Sequence, residues 1–290
     1  MTTRIISILF PIFAIVLVGY LYGRWHKPEM SVANRLNMDV FVPALVFATM
    51  AGKTTHLGAY GMLALAALCL LLVSGLLALG VARLLGIAPK TLVPPMMFNN
   101  SGNIGLPLAL LTWGEAAIPL AVILFMVENT LHFSLGARIL DPRTRLLMLW
   151  RVPVVAAAIA GVIVAGSGVV IWKPMMTAIQ LLGDISIPLL LFGLGVRMTT
   201  VTFGDWRLAV ACATIRPIIG MAVAYLLAVL LALDAQQAAM LLVFGALPPA
   251  LLNYLFAERY QQEPERVASI VLIGNLFALL FLPIALAMAL

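Results

Sequence analysis

Charged residues are scarce in this sequence. Aspartate, glutamate, lysine and arginine make up 10% of the 290 residues, whereas hydrophobic residues make up 64%. An ordinary soluble domain has about a quarter of its residues charged, and a disordered chain is poor in apolar residues. The composition excludes both classes and predicts a protein whose surface faces lipid.

Cysteine and histidine are also rare. The two cysteines, Cys69 and Cys212, fall within apolar stretches, which argues against a disulfide framework. The three histidines and two cysteines show no metal-ligand spacing, so we predict neither a metal site nor a cofactor. An integral membrane enzyme would need a nucleophile–base pair or a metal cluster, and this sequence suggests neither. We therefore do not expect an enzyme.

The few charges are unbalanced in sign. The 17 lysines and arginines exceed the 11 acidic residues, which gives a net charge of +6. The basic residues are spread over the connections between apolar stretches and form no stripe, so nucleic acid is not a predicted partner. We interpret the excess as a signal of membrane topology.

The apolar stretches predict ten transmembrane helices, at about 20 residues for each crossing of the bilayer. The predicted spans lie near residues 5–23, 33–50, 59–82, 91–112, 116–138, 153–172, 175–196, 207–231, 236–257 and 266–288. The odd-numbered connections then hold 13 of the 17 Lys and Arg residues, the other side holds 3, and Arg216 lies within a span. The positive-inside rule predicts a multi-pass protein of the cell inner (plasma) membrane with both termini outside the cytoplasm.

The predicted fourth span is interrupted where the bilayer would be deepest. We expect the helix breakers Gly102, Gly105 and Pro107 to open it. Four polar residues surround the interruption: Asn99, Asn100, Ser101 and Asn103. Unpaired backbone groups cost several kcal/mol each in hydrocarbon, so the interruption is predicted to line a cavity. The alternative is a kink whose backbone groups are satisfied by the asparagines.

The two halves of the chain share a motif. Asp39–Phe47 and Asp184–Phe192 both have Asp, then Pro four residues later, then Leu and Phe two and four residues on. The offset of 145 residues is half the chain, and it places a second interruption at Pro248–Pro249. Five spans per half is an odd number, so we predict two inverted repeats, residues 1–145 and 146–290, within one all-α integral membrane domain.

The interruptions predict an anion site. Pro107 and Pro249 each suit the first position of a new half-helix, whose free N–H groups and positive dipole end would point into the cavity. Because the repeats are inverted, two such ends should face each other, and a carboxylate between them would be favoured by both. Asn253 would add a further donor and acceptor near the second interruption. The carbonyl ends of the first half-helices would suit a cation or a polar group.

Two ionisable residues and one amide lie on the predicted fifth span. Glu128 with Asn129 is a candidate for binding a proton or a cation, and a structural hydrogen bond is an equally good interpretation. His132 fits a core histidine better than a proton relay.

Three further ionisable residues lie within predicted spans. Asp39 and Asp184 occupy equivalent repeat positions, which favours a shared role in capping the kink over a role in transport. Arg216 is the basic residue within a span, and either it pairs with an acid or it attracts the anion, with pairing favoured.

The stretches Asn99–Pro107 and Leu247–Tyr260 resemble the auxin efflux carrier family, which includes plant PIN-type carriers and bacterial malate or malonate permeases. The resemblance covers the whole chain. It implies that the broken fourth and ninth helices cross, with the prolines and Asn103 beside the substrate. It also implies that a transport domain moves like an elevator against a scaffold of spans one, two, six and seven. Related carriers suggest a homodimer.

The sequence thus predicts a secondary transporter for a small organic anion, a dicarboxylate such as malonate or malate, in a lipid bilayer. A sodium-coupled symporter or cation/proton antiporter on the same fold is the alternative, and uniport driven by the membrane potential stays open. Glu128 is the candidate for coupling to a proton or sodium ion. The predicted substrate-binding residues are Asn99, Asn100, Ser101, Asn103, Pro107, Pro248, Pro249 and Asn253.

Overall fold

The computed structural model describes residues 2–51, 57–143, 153–199 and 205–290. The predicted repeat boundary at residues 145–146 lies outside these ranges, as do three basic residues used to assign topology, Lys53, Arg145 and Arg151. Within the described ranges the regular structure is helical, which confirms the all-α prediction. One isolated antiparallel bridge joins Asn99 to Pro249.

Fifteen α-helices occur in the part of the chain that the structure describes. They are α1 (Thr2–His26), α2 (Ser31–Leu36), α3 (Val42–Ala51), α4 (Leu57–Leu85), α5 (Pro89–Met97), α6 (Leu106–Trp113), α7 (Ile118–Leu131), α8 (Ala137–Leu140), α9 (Pro153–Ser167), α10 (Lys173–Asp184), α11 (Ser186–Arg197), α12 (Trp206–Leu230), α13 (Ala235–Ala246), α14 (Leu252–Arg259) and α15 (Pro264–Ala289). Two wider π-helical turns join helices directly, at Asn37–Phe41 and His132–Gly136, and a third, Ser101–Gly105, leads directly into α6. A 3₁₀ turn, Glu115–Ala117, precedes α7.

Among the described residues, six helical stretches are long and apolar enough to cross a membrane by length and composition. They are Thr2–His26, Tyr60–Leu85, Glu115–Leu140, Lys173–Arg197, Trp206–Leu230 and Pro264–Ala289. They correspond to the predicted first, third, fifth, seventh, eighth and tenth spans. The predicted second, fourth, sixth and ninth spans consist of shorter helices.

Large apolar side chains project outward from these stretches. Phe10 on α1, Leu76 on α4 and Val229 on α12 are each more than 60% exposed. Such extensive apolar exposure is not tolerated in water, and it marks a surface that contacts lipid. The helices thus form a multi-pass membrane protein.

Glycines let several helices approach until their backbones touch. A Cβ atom on Gly19 of α1 would overlap the carbonyl oxygen of Phe192 on α11. Gly220 of α12 and Gly245 of α13 likewise face each other, and a Cβ on either would overlap the carbonyl oxygen of the other. Small residues at helix contacts are the usual means of close packing in membranes, where apolar burial contributes little between helices.

Two short extended segments interrupt the helices. We call Phe98–Asn100, between α5 and the turn Ser101–Gly105, the first break, and Leu247–Ala250, between α13 and α14, the second break. The prediction that Gly102, Gly105 and Pro107 open the helix was wrong. These three residues lie inside a helical stretch that runs from Ser101 to Trp113.

The position of Pro249 also differs from the prediction. It lies in the second break rather than at the first position of α14. The physical reason is that extended residues in the interior need backbone partners, and each break supplies partners for the other. The chain therefore opens where the two segments meet, and Pro107 is accommodated beside a π-helical turn instead.

Candidate functional site

The two breaks pair with each other as a minimal antiparallel ladder. The backbone nitrogen of Asn100 donates to the carbonyl oxygen of Pro248 at 2.8 Å, and that of Ala250 donates to Phe98 at 3.1 Å. In hydrocarbon these backbone groups would be costly without partners. The pairing satisfies them and fixes the two breaks against each other.

Asparagine side chains satisfy further carbonyl groups around the breaks. Asn99 Nδ2 donates to the carbonyl oxygen of Phe244 at 2.9 Å. Asn253 Nδ2 donates to the carbonyl oxygens of Phe98 at 3.1 Å and Ala250 at 2.9 Å. The Oδ1 atoms of Asn99 and Asn253 are buried without a hydrogen-bond partner among the described residues. These two amides thus support the breaks with their nitrogens and leave their oxygens free.

A third amide link reaches α15. Asn100 Nδ2 donates to Asn275 Oδ1 at 3.0 Å, and Asn275 Nδ2 donates to the carbonyl oxygens of Pro249 at 3.1 Å and Val271 at 2.7 Å. Asn275 therefore connects the two breaks through one side chain. Sequence reasoning missed it, although a lone asparagine in the otherwise apolar last span was a signal.

A cavity of about 210 Å³ opens beside the breaks. Its walls come from the segment α2–α3, the two breaks and the residues after them, α7 with the turn that follows it, and α11. The polar residues of the wall are Asn34, Asn37, Asn99, Asn100, Asn103, Glu128, Asn129, His132 and Arg197. Each of the three π-helical turns contributes to the wall, which agrees with the tendency of such turns to occur at functional sites.

Glu128 and His132 form a buried pair on the cavity wall. Glu128 Oε1 lies 3.2 Å from His132 Nδ1, and Glu128 Oε2 accepts a 2.7 Å hydrogen bond from Ser101 Oγ. The imidazole stacks on Phe98 with ring centroids 4.2 Å apart and meets the edge of Phe256 at 5.2 Å. One acid–base pair is thus in contact with the first break and with the helix that follows the second.

Arg197, at the end of α11, places a positive charge on the cavity wall. Glu258 and Tyr254 of α14 act on it electrostatically. Sequence reasoning used Arg197 only to assign topology. The signal that it missed is helical spacing, because Leu190, Gly193, Leu194 and Arg197 follow one face of α11 and all four line the cavity.

Asn34 and Asn37 are also cavity residues that were not predicted as site residues, although both were polar residues in the predicted second span. Asn37 Nδ2 lies 3.4 Å from the carbonyl oxygen of Ser186, which joins the α2–α3 segment to α11. The α2–α3 segment and α11, which both face the breaks, are therefore joined at the cavity.

Arg216 lies elsewhere. It is buried on α12 and shares a small separate pocket with Asn99, Ser74 and Gly245. Its Nε and Nη1 atoms have no hydrogen-bond partner within the described ranges, and Glu128 acts on it electrostatically. No salt bridge joins Arg216 to an acid among the described residues, so the predicted pairing is limited to an electrostatic effect of Glu128.

The structure brings together part of the predicted set. Asn99, Asn100, Asn103, Glu128 and Asn129 line the cavity. Five other predicted residues are not part of the described cavity wall: Ser101, Pro107, Pro248, Pro249 and Asn253. Asp39 and Asp184 are exposed, and they too are outside that wall.

Comparison with known families agrees with this architecture. A family model described as membrane transport protein matches residues 4–149 and, a second time, residues 143–286. The two matches together cover almost the whole chain. The chain belongs to the membrane transport protein family. This is the auxin efflux carrier, or PIN-like, family, so the resemblance read from the sequence is confirmed. No curated protein matches the chain.

Membership in the membrane transport protein family has two direct consequences. The apolar outer surface of the helices contacts a lipid bilayer, and the protein moves a small substrate across it. The cavity beside the breaks brings several polar side chains together around one space, as small-molecule sites commonly do.

Proposed function

We propose that this membrane transport protein is a secondary transporter for a small organic anion, with a dicarboxylate such as malonate or malate as its substrate class. The observation that carries the proposal is the cavity of about 210 Å³ at the paired breaks, which combines amide side chains with Arg197. The substrate binds there, with Asn103 as its principal amide contact.

Two helix starts favour an anion in this cavity. One helical stretch begins at Ser101 and the other, α14, at Leu252, and the cavity wall includes Gly102, Asn103 and Leu252. The first N–H groups of a helix have no acceptor within it, and the dipole adds about half a positive charge. A carboxylate group accepts from such N–H groups directly.

Arg197 adds a positive charge to the wall of the same cavity. A guanidinium group binds a carboxylate through two parallel hydrogen bonds, which gives orientation as well as affinity. Asn34 and Asn37, on the same side of the cavity, offer further neutral hydrogen-bonding groups. A dicarboxylate has one carboxylate for Arg197 and a second for the helix starts.

We place the cavity within ten spans arranged as two inverted five-helix repeats, residues 1–145 and 146–290, with both termini outside the cytoplasm. The packing supports this arrangement, because α1 packs along α11 while α3 packs along α9. Helix α1 forms the first span and α9 the sixth, while α3 belongs to the second span and α11 to the seventh. The contact between the first and seventh spans is therefore matched by the contact between the sixth and second spans, as two equivalent repeats require.

The same packing supports an elevator. Helices α1, α3, α9, α10 and α11 contact one another and form the scaffold, whereas α12 contacts α4, α13 and α15 in a second group that carries the breaks. The cavity lies where Arg197 and Asn37 of the first group face the breaks of the second. Movement of the second group along the first would expose the substrate on either side of the membrane.

The presence of Glu128 on the cavity wall favours the second candidate, a sodium-coupled symporter or cation/proton antiporter. Glu128 is the acidic residue of the described cavity wall. Its two oxygens already contact Ser101 and His132, and the remaining polar wall consists of amides and Arg197. This set suits an anion better than a metal cation, which takes several oxygen ligands.

The test is uptake into proteoliposomes that contain the purified protein. Labelled malonate, malate and an aromatic carboxylate are offered in turn, first in counterflow against the same unlabelled compound and then under imposed proton, sodium and potential gradients. Counterflow of a carboxylate supports the proposal. Cation flux without carboxylate counterflow would replace it with the antiporter.

A further inference from the structure

We propose that Glu128 and His132 form one proton-binding site that couples entry of the anion to entry of a proton. This inference rests on the proposed function, because only a protein that moves an anion can couple a proton to it. It goes further by naming the site, the number of protons and the atom that accepts the proton.

The geometry defines where protons can reside. The two residues are four positions apart, both line the cavity, and their side chains are no more than 3% exposed. One proton lies between His132 Nδ1 and Glu128 Oε1, which are 3.2 Å apart. Ser101 Oγ donates to the other carboxylate oxygen at 2.7 Å. His132 Nε2 has no hydrogen-bond partner among the described residues, so it is the atom that accepts a second proton.

The charge changes with that second proton. With one proton the pair carries a single negative charge, and with two protons it is an imidazolium–carboxylate pair with no net charge. A negative group on the cavity wall opposes a bound anion, whereas the neutral pair does not. Anion and proton therefore strengthen each other's binding, and thermodynamic linkage makes the effect reciprocal.

The surrounding charges are consistent with a pair that cycles between these two states. Arg197 of α11 lies on the same cavity wall, and Arg216 of α12 acts on Glu128 electrostatically. Among the helices packed against α7, α3, α6 and α13 contain no ionisable residue. Helix α4 carries Cys69, Tyr60 and an exposed Arg83. The ionisable residues on the other elements that contact α7 or the turn holding His132 are Glu115, Arg138, Tyr254, Glu258 and Arg259. The pair is thus the acid–base group of α7 and of the turn that follows it.

The aromatic contacts connect the proton to the breaks. The imidazole lies nearly parallel to the ring of Phe98, with an angle of 8° between the planes, and Phe256 of α14 closes its edge. A protonated imidazole over an aromatic face is stabilised by a cation–π interaction. His132 Nε2 is sealed from the cavity in this conformation, so proton exchange requires this ring stack to separate. Loading the proton therefore favours the closed stack at the first break.

The transport step conserves atoms and charge. On one side of the membrane a carboxylate anion enters the cavity and a proton from water binds His132 Nε2. After the movement of the breaks, the anion and that proton leave on the other side. No covalent bond other than the N–H bond forms or breaks.

The first test uses the wild-type protein in proteoliposomes with a pH-sensitive dye outside and labelled malonate as substrate. We expect one proton to enter with each malonate and a protonophore to abolish accumulation driven by a pH gradient. Above the pH at which the pair loses its second proton, the apparent Kd for malonate should rise by up to about tenfold per pH unit. Malonate uptake without proton entry would overturn the inference.

The second test compares His132→Gln and Glu128→Gln with matched surface substitutions. His26→Gln and Glu115→Gln replace the same residue types at exposed positions. We expect the controls to behave as the wild type. The His132 variant should show malonate counterflow above that of empty liposomes, with no proton entry and no response to the pH gradient.

The outcomes separate the two hypotheses. Proton entry that persists in the His132→Gln variant would contradict the coupling site while leaving the anion transporter intact. Absence of carboxylate counterflow in the wild type would instead contradict the proposed function. If the variants do not fold, the wild-type ratio of protons to malonate still decides the matter, because a ratio of zero rejects coupling.

Discussion

The side-chain nitrogen of Asn99 donates to the carbonyl oxygen of Phe244, 2.9 Å away in the last turn of α13. This bond ties the first break to the helix that leads into the second. Together with the backbone bonds between Asn100 and Pro248 and between Ala250 and Phe98, it makes the two breaks one structural unit. A change at either break is expected to affect both.

Replacing Asn99 with alanine should destabilise the protein, because the carbonyl oxygen of Phe244 loses its 2.9 Å bond from Asn99 and keeps the longer 3.3 Å bond from the backbone nitrogen of Leu247. A typical intramolecular hydrogen bond contributes about 0.5–1.5 kcal/mol to stability. Thermal unfolding in detergent, followed by size-exclusion chromatography, would measure the effect. Asn129→Ala is the control, since the Asn129 side chain bonds only the carbonyl oxygen of Phe125 in its own helix at 3.0 Å. Equal melting temperatures for the two variants would contradict the structural role of Asn99.

Replacing Gly220 with alanine should destabilise the protein, although the substitution adds only one methyl group. The added methyl group would overlap the carbonyl oxygen of Gly245, a backbone atom that cannot move without separating α12 from α13. Overpacking of this kind costs about 1–3 kcal/mol. Gly80→Ala is the matched control on α4, because a Cβ there meets nothing within 4 Å. We expect the control to melt at or above the wild-type temperature, since alanine favours the helix.

Replacing Asn103 with alanine should abolish uptake while leaving folding largely intact. Asn103 is half-buried on the cavity wall, unlike the fully buried Asn99 and Asn100 that support the breaks. Loss of a hydrogen bond to a charged substrate costs about 1.5–3 kcal/mol, which is about ten- to a hundredfold in affinity. Carboxylate counterflow measures the loss, with Gln180→Ala on the exposed face of α10 as control. Normal counterflow in the Asn103 variant would remove this residue from the site.

Replacing Arg197 with glutamine should raise the substrate concentration needed for half-maximal uptake by about ten- to a hundredfold, because a charge-assisted hydrogen bond to the anion is lost. Arg207→Gln removes the same charge at an exposed position beside Trp206 and should leave uptake unchanged.

The electrostatic link between Arg197 and Glu258 requires a further control. If the Arg197 effect came from that link alone, Glu258→Gln would reproduce it. We expect Glu258→Gln to keep carboxylate uptake within about twofold of the wild type, since Glu258 is an exposed residue.

Local sequence patterns predicted the helical class, the family and the existence of two breaks. They could not place the breaks to the residue. Gly102 and Pro107 are helix breakers by intrinsic preference, yet both lie in helical structure. The residues that become extended are those whose backbone pairs with a segment about 150 positions away in the sequence. Backbone pairing between distant segments leaves no local trace in the sequence.

The same limit applies to the site. The spacing of Glu128 and His132 was visible as one helical turn, and their contact could have been inferred from it. The contribution of Arg197 was hidden, because a basic residue at a helix end is equally typical of a membrane boundary. Asn275 was visible as a lone asparagine in an apolar span, but its role depends on which helices are neighbours in space.

The neutrality of the breaks has a consequence for a protein that works between two unlike solutions. The groups that hold the breaks together are backbone amides and the side chains of Asn99, Asn100, Asn253 and Asn275, none of which gains or loses a proton at physiological pH. The hydrogen bonds that join the two breaks to each other therefore do not depend on the acidity on either face. The link between the breaks is thus separate from the protonation of the Glu128–His132 pair that lies beside it.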